Sequence, residues 1–454
     1  MPKILEAAGE SFSAEQIVEG CSPVPSELKS TSWFAVVGEA PGKDELKLSR
    51  PMVGRSGMRL TESLASLGLP RHNFDVLNVL SCHPPGDKLN ELLKLCKKRG
   101  WSSPVECCRP RLNAELAKHD KVIAVGGLAA RALLKIPRGI LTVRGSPVTI
   151  ERGFMESSGS VEVEERYDPE TGELVESADT STMAQRFSAL GGYVKILPTV
   201  HPAFVLRANR WAPIFLSDLG RAVRFFQDRL NWVDPLIYVQ PTADALYTWL
   251  NGGAGPQSYW AFDTETEWGD PLTVDLRTVQ IGIANMAVVI PFYSIEEEKF
   301  GQRFYDAVEE NRIKDVLRWF FQSSTHIKTG HNANVFDRQV LERHLGVKPH
   351  PVVDGLIVHR LVNPEIPHAL GVVGSIYTDA RAWKANEKGE ALSEHARSDT
   401  ELHKYGGTDA VISYQILPPM LVEAAKRCNE VAQAFGYKES DRRGLDTRCP
   451  GLPD

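Results

Sequence analysis

The sequence predicts an α/β protein built as two domains. Its 454 residues exceed what one hydrophobic core usually serves. From Trp33 onward, short β-rich runs alternate with helical stretches, the pattern of a domain with a largely parallel sheet. A second set of strands opens at SYWAFDTET, after the proline-bearing segment NWVDPLIYVQPT.

In the first domain, expected over residues 1–230, the runs WFAVVG, DVLNVLS, KVIAVGG and YVKILPT read as strands. The last helix is expected from Ser217 to Arg229. Between Glu151 and Leu190 the composition turns to Glu, Ser, Gly and Thr, with the turn-like DPETGE, and reads as a mobile insertion or a hairpin. NWVDPLIYVQPT, with Pro235 and Pro241, reads as the junction, and a second domain over residues 234–454 begins near Asp234. There TVQIGIA and MAVVIPF read as strands, and Val316 to Phe321, Val335 to His344 and Leu402 to Lys426 as helices. The polar tail DRRGLDTRCPGLPD reads as frayed.

Hydrophobic content of 42% and charged content of 24% are ordinary for a soluble globular chain and exclude wholesale disorder. The first residues lack the basic and apolar regions of a secretory signal, and no apolar run is long enough to span a bilayer. A cytoplasmic location, bacterial or in a phage-infected host, is the expectation, with no membrane partner. The net charge of -6 excludes a simple basic coat for nucleic acid, though local patches can oppose the overall sign. Seven cysteines in such a compartment point to thiols or metal ligands rather than disulfides, and Cys82, Cys96, Cys107 and Cys108 fall close together.

Asp263 and Glu265 lie two apart in a strand, which puts both carboxylates on one face, where they can grip one cation. In HNANVFDRQVL, Asp337 stands at the start of a helix; in HKYGGTDAV, Tyr405 and Asp409 are four apart on one helical face. Taken singly, a strand-end Asp, a cap and a solvated helix residue are the ordinary readings. If the four carboxylates and the phenol converge, they suit phosphodiester hydrolysis, in which two divalent ions about 4 Å apart stabilise the attacking and leaving oxygens. Mg²⁺ or Mn²⁺ fits such hard oxygen ligands.

Together and in this order, the three segments resemble the proofreading 3'-5' exonuclease family with four acidic ligands, in the subclass whose third motif is Tyr-x-x-x-Asp. The resemblance runs from about Leu236 to Cys428 and includes DGLIVHRLVNPEIPHALGVVGSIYTD, which is similar to exonuclease domains attached to family A DNA polymerases. It implies a ribonuclease H-like fold with Asp263, Glu265, Asp337 and Asp409 as metal ligands. It further implies that Tyr405 orients the attacking water, Asn332 positions the scissile end and Asp354 is a supporting acid. The substrate implied is DNA, single-stranded or at 3' ends, and the missing polymerase is either a separately encoded partner or dispensable. RNA is the rival substrate, since the two-metal chemistry does not need a 2'-hydroxyl.

In the first domain, GEAPG at Gly38 to Gly42 follows a strand, and a Gly/Pro-rich loop there is a plain turn or a phosphate site. PMVGRSG, LNVLSCHPP and PTVHPAFVLR follow it in order. The four segments resemble the uracil-DNA glycosylase superfamily over roughly Trp33 to Asp228, closest to its iron-sulfur-containing branch, which implies a parallel-sheet α/β/α sandwich. Excision needs a flipped base to be read and its departing anion stabilised. By resemblance Asn78 reads the uracil edge, His201 donates to the developing negative oxygen and Glu39 holds the water; loop, turn and surface readings stand beside each. Arg207 is expected to contact phosphate, with Arg210, Arg221 and Arg224 either doing the same or lining a solvated face.

Two departures mark this chain. Met52 stands where the family usually stacks a phenylalanine on the base. The branch also carries four cysteine ligands for a 4Fe-4S cluster: Cys82 fits the third position and Cys108 the fourth, but of the leading CxxC pair only Cys21 is present, leaving Cys96 and Cys107 as substitutes and ordinary buried cysteine as the alternative. The expectation is a replication or repair protein of bacteriophage type, with the head either a glycosylase or a non-cutting binding module.

Overall fold

The computed structural model describes residues 23–99, 103–135, 139–156, 192–255, 257–267, 269–384 and 398–434. Cys21, most of the Glu151 to Leu190 insertion and the polar tail lie outside them. The chain divides into two compact units, Met1–Leu230 and Asn231–Asp454. No helix among the described residues is long and apolar enough to cross a membrane.

The first unit is built on β1 (Phe34–Gly38), β2 (Phe74–Asn78), β3 (Lys121–Val125), β4 (Val148–Glu151) and β5 (Tyr193–Thr199) in the order β2-β1-β3-β5-β4. All pairings are parallel except β4 with β5. The five residues of β1 are buried throughout, as expected for a strand covered on both faces by helices. Chain order reverses at β1, which has β2 on one side and β3 on the other, and the loops beyond the carboxyl ends of such strands are where α/β sheets form their sites. Glu151 pairs with Tyr193, so the insertion is strung between two antiparallel strands.

The last helix of this unit runs from Ala212 to Phe226, beginning and ending earlier than the sequence suggested. Pro213 explains the start, because a proline in the first turn gives up no hydrogen bond and its fixed φ suits the helix. Arg221 on this helix is neither solvated nor free for phosphate. It is 2% exposed, and its guanidinium donates to Gly145 O at 3.0 Å. Helical periodicity turns it inward beside Asp218, which a count of charges cannot reveal.

The second unit has the sheet order β11-β10-β7-β8-β9-β6, formed by β6 (Leu236–Val239), β7 (Trp260–Thr266), β8 (Leu276–Ile283), β9 (Met286–Pro291), β10 (Lys328–Gly330) and β11 (Val352–Asp354). β6 falls inside the segment read as a junction. It is an edge strand with Leu236, Tyr238 and Val239 exposed, and Pro235 and Pro241 flank it where a missing N–H costs no ladder bond.

Alternation along β8 sends Val279, Ile281 and Ile283 into a core with Phe262, Phe320 and Phe321. Gln280 and Gly282 face the other way, onto the helix Asp399–Ala434, which packs across β7, β8 and β9. A Cβ on Gly282 would lie 2.7 Å from the Ala410 carbonyl carbon, and one on Gly406 would lie within 3.1 Å of the Gln280 side chain. Gly282, Gly406 and Gly407 therefore let helix and sheet approach closely. Two mid-helix glycines cost about 1 kcal/mol each in propensity, and the close packing offsets that.

Candidate functional sites

In the second unit, β7 carries Asp263 and Glu265 at alternate positions, and the long helix delivers Asp409 from the other side. Ligand oxygens of these three residues all lie within 4.8 Å of one another. Glu265 and Asp409 are buried and Asp263 keeps partial exposure. Removal from water, then the Asp409 charge, pushes the Glu265 carboxyl up to about 8; Asp263 is raised well above the usual carboxylate range by burial, then by Asp337, Glu265 and Asp409. Such crowding of acids is relieved by a proton or a cation, and an all-oxygen donor set suits a hard divalent ion.

Asp337 stands beside this group rather than within it. Its Oδ1 accepts from Thr264 N at 2.8 Å and Thr264 Oγ1 at 2.7 Å, and these bonds restrain a carboxyl that burial lifts to about 6. Tyr405 is 6% exposed and lies one helical turn before Asp409. Asp354 organises the second motif: its Oδ1 accepts from Asn332 N at 3.0 Å and Leu356 N at 2.9 Å, and its Oδ2 from Asn334 N at 2.9 Å. That clamp fixes Asn332 in the left-handed region, φ 72°, a conformation Asn tolerates better than most residues.

Two residues here escaped sequence reasoning. Trp383 Nε1 donates to Asp409 Oδ1 at 2.5 Å, and Lys384 Nζ donates to Asp409 Oδ2 and, at 3.0 Å, to the Tyr405 hydroxyl. They belong to none of the three acidic motifs, and only chain folding brings them in.

In the first unit, Asn78 is the last residue of β2, Glu39 follows β1 directly and His201 stands two residues past the end of β5. The ladder continues past the strands through Val79 N to Gly38 O, 2.9 Å, and Leu80 N to Glu39 O, 3.0 Å. A Cβ on Gly38 would lie 2.5 Å from Asn78 Oδ1 and 2.2 Å from Met52 Cε, so both side chains use the space that glycine leaves. Asn78 is 5% exposed, and its Oδ1 is buried with no hydrogen-bond partner among the described residues, an acceptor held ready for a donor. Glu39 Oε1 accepts from Leu128 N at 2.9 Å, and its carboxyl lies against Gly126.

His201 caps the helix Pro202–Arg207, its Nδ1 accepting from Ala203 N at 3.2 Å. Burial first, and the Arg207 charge, lower its pKa, opposed by Glu39 and Glu45. A neutral imidazole whose Nδ1 accepts must carry its proton on Nε2 and donate from there. Arg207 itself is exposed.

Glu45 and Arg71 shape the rim and were also missed. Glu45 Oε2 accepts from Gly42 N at 3.0 Å and its Oε1 from Gly54 N at 2.8 Å, tying GEAPG to PMVG. Arg71 donates to Pro51 O at 2.6 Å and Met52 O at 2.8 Å, holding Met52 at φ 49°. Glu27 grips Arg71, Arg50 and Lys29, and these cations hold its carboxyl far below the usual range against the cost of its burial.

Among the described residues, Cys82, Cys96, Cys107 and Cys108 stand as thiols. Cys82 pairs across a bridge with Pro23, two residues after Cys21, and Cys108 Sγ lies 3.6 Å from the Ser81 hydroxyl. Cys96 is buried, and its thiol is raised by burial and then by Cys107, so these two lie near one another.

Comparison with known proteins gives a match for each unit. A uracil DNA glycosylase superfamily model matches residues 25–225, and a 3'-5' exonuclease model matches residues 242–423. A type-4 uracil-DNA glycosylase of Pyrobaculum aerophilum is 34% identical over 115 residues, covering 25% of this chain and 54% of that protein. One of Thermotoga maritima is 28% identical over 227 residues, covering 46% of this chain and 91% of that protein. The chain thus spans about half the length of the first relative. Among solved structures, Brucella melitensis NrnC with bound Mg²⁺ aligns at 18% identity and a TM-score of 0.31, covering 49% of this chain and all of that one, a likeness too slight to build on. The chain joins a domain of the uracil-DNA glycosylase superfamily to a 3'-5' exonuclease domain.

Proposed function

We propose that the second unit is a divalent-metal-dependent nuclease that removes nucleotides from DNA 3' ends. The observation that carries this is the convergence of Asp263, Glu265 and Asp409 within 4.8 Å, beside Asp337 and Tyr405. In the reading, Asp263, Glu265, Asp337 and Asp409 hold two ions, Mg²⁺ or Mn²⁺, which stabilise the attacking and leaving oxygens. Tyr405 orients the attacking water and Asn332 the scissile end. A separately encoded DNA polymerase is the partner that such a trimming activity would serve.

In the first unit the reading is uracil excision from DNA. Asn78 Oδ1 accepts from the base, His201 Nε2 donates to the oxygen that gains negative charge, and Glu39 holds the attacking water. Met52 forms an apolar side of the base pocket, and Arg207, exposed at the end of its helix, meets a phosphate. Of the leading CxxC pair only Cys21 is present, and it lies outside the described residues, so no step is assigned to a 4Fe-4S cluster. That mismatch, with Met52 in place of an aromatic ring, favours a second reading in which the head binds uracil-containing strands without cutting them.

One experiment separates these readings. The full chain is incubated in EDTA, which silences the nuclease, with labelled single-stranded DNA carrying one uracil, followed by alkali. Cleavage at the uracil that disappears in Glu39→Ala and His201→Ala supports excision, and an intact strand leaves the binding head. With Mg²⁺ restored, DNA shortened from its 3' end by the wild type and not by Asp263→Ala supports the nuclease. RNA of the same sequence degraded far faster would move the substrate to RNA.

A further inference from the structure

The carboxylate cluster of the second unit contains a positive group that none of the three acidic motifs supplies. Lys384 Nζ is hydrogen-bonded to Asp409 Oδ2 and to the Tyr405 hydroxyl, and it lies 4.6 Å from the centre of the Tyr405 ring. Trp383 Nε1 takes the other Asp409 oxygen. Two consecutive residues thus occupy both oxygens of one carboxylate and the phenol one turn away. These are the same atoms that metal loading and water orientation require.

Three carboxylates within 4.8 Å repel one another, and a cation in their midst relieves every pair at once. Lys384 is placed to do this: its charge opposes the upward push on both Asp263 and Glu265. Its side chain is 30% exposed while Asp409 is 5% exposed, so the ammonium reaches in from the open side. A flexible four-carbon stem lets it return to water without moving the backbone.

We propose that Lys384 is a built-in cation that fills the cluster before a divalent ion does, and that metal loading displaces it from Asp409 and Tyr405. The proposal rests on the nuclease reading of this site. Lysine and metal then compete for the same oxygens, and by linkage each weakens the other's hold. Arginine at this position would keep the charge, whereas methionine would keep the length and remove it.

The test measures Mn²⁺ binding to the full chain from the electron paramagnetic resonance signal of the free ion. Lys384→Met should bind about five- to a hundredfold more tightly than wild type, with Lys384→Arg close to wild type. Unchanged or weaker binding by Lys384→Met overturns the proposal. A second readout is thermal: Lys384→Met should lower Tm in EDTA, where the carboxylates lose their counter-ion, and match or exceed wild type at saturating Mn²⁺. The same shift under both conditions also overturns it. Asp263→Ala separates the two levels, since full Mn²⁺ binding by that variant sinks the metal-site reading itself, whereas its loss together with an unaltered Lys384→Met sinks only the role of the lysine.

Discussion

Replacing Asp218 by Asn should cost the first unit about 3–5 kcal/mol, because it leaves a buried guanidinium without its counter-ion. Arg144 is 5% exposed and Asp218 is 1% exposed. Arg144 Nε donates to Asp218 Oδ2 at 2.9 Å, its Nη2 to Oδ1 at 2.5 Å, and Thr199 Oγ1 to Oδ2 at 2.8 Å. An exposed pair would be worth only about 0–1 kcal/mol, so burial decides the class of effect. Removing both charges, as in Arg144→Met with Asp218→Leu, also removes the desolvation penalty. It leaves the Thr199 hydroxyl without this acceptor, about 1–3 kcal/mol, and the buried Arg221 without the neighbouring carboxylate, a cost both variants share.

The double variant should therefore be the more stable of the two. Thr199 ends β5 two residues before His201, so Asp218→Asn should also weaken uracil excision or uracil binding. Hydrogen exchange of β3 and β5 peptides over a urea series reads the stability of this unit, with β7 and β8 peptides as the internal control. A loss below about 1 kcal/mol for Asp218→Asn, or a double variant as damaged as the single, would refute the reasoning.

Gly38→Ala adds one methyl between Met52 Cε and Asn78 Oδ1; Met52 can yield but Asn78 must turn, so uracil excision or binding should fall about a hundredfold while Mg²⁺-dependent trimming is unchanged. Equal loss of both activities would point to unfolding instead. Gly282→Ala presses on the backbone of Ala410, next to Asp409, and should cost about 1–3 kcal/mol and lower nuclease turnover, read from urea melts and single-turnover trimming; wild-type behaviour in both would remove the close-approach argument. His359 is fully buried, and burial, then His368 and His331, push it down to about 4. Its folded pKa lies below the unfolded value, so its contribution is complete above about pH 6.5 and fades as pH falls toward 4, a loss of up to about 3 kcal/mol. The urea midpoint of the second unit should drop across that window, and a variant His359→Phe should show a shallower drop; identical slopes would rule His359 out as the source.

Much of this protein is written locally. Strand-length apolar runs such as FAVVG and KVIAV form buried parallel strands because nothing but burial on both faces suits them, and the i, i+2 spacing of Asp263 and Glu265 sets them on one face of β7 wherever the strand goes. The Tyr405 and Asp409 spacing likewise needs only a helix. Other features depend on what packs from a distance. The short edge strand Leu236–Val239 exists because β9 offers it a partner, not because its own pattern demands it. Arg221 is buried because Gly145 O and the neighbourhood of Asp218 receive it, whereas sequence shows only one arginine among several. Trp383 and Lys384 enter the carboxylate cluster, and Arg71 and Glu45 enter the rim of the first unit's candidate site, through contacts between residues 3 to 26 apart in the chain. Periodicity fixes which way a side chain leaves its own element; which atoms it meets is settled only when elements from different parts of the chain are packed together, and that is the physical reason the motifs were legible and their supporting charges were not.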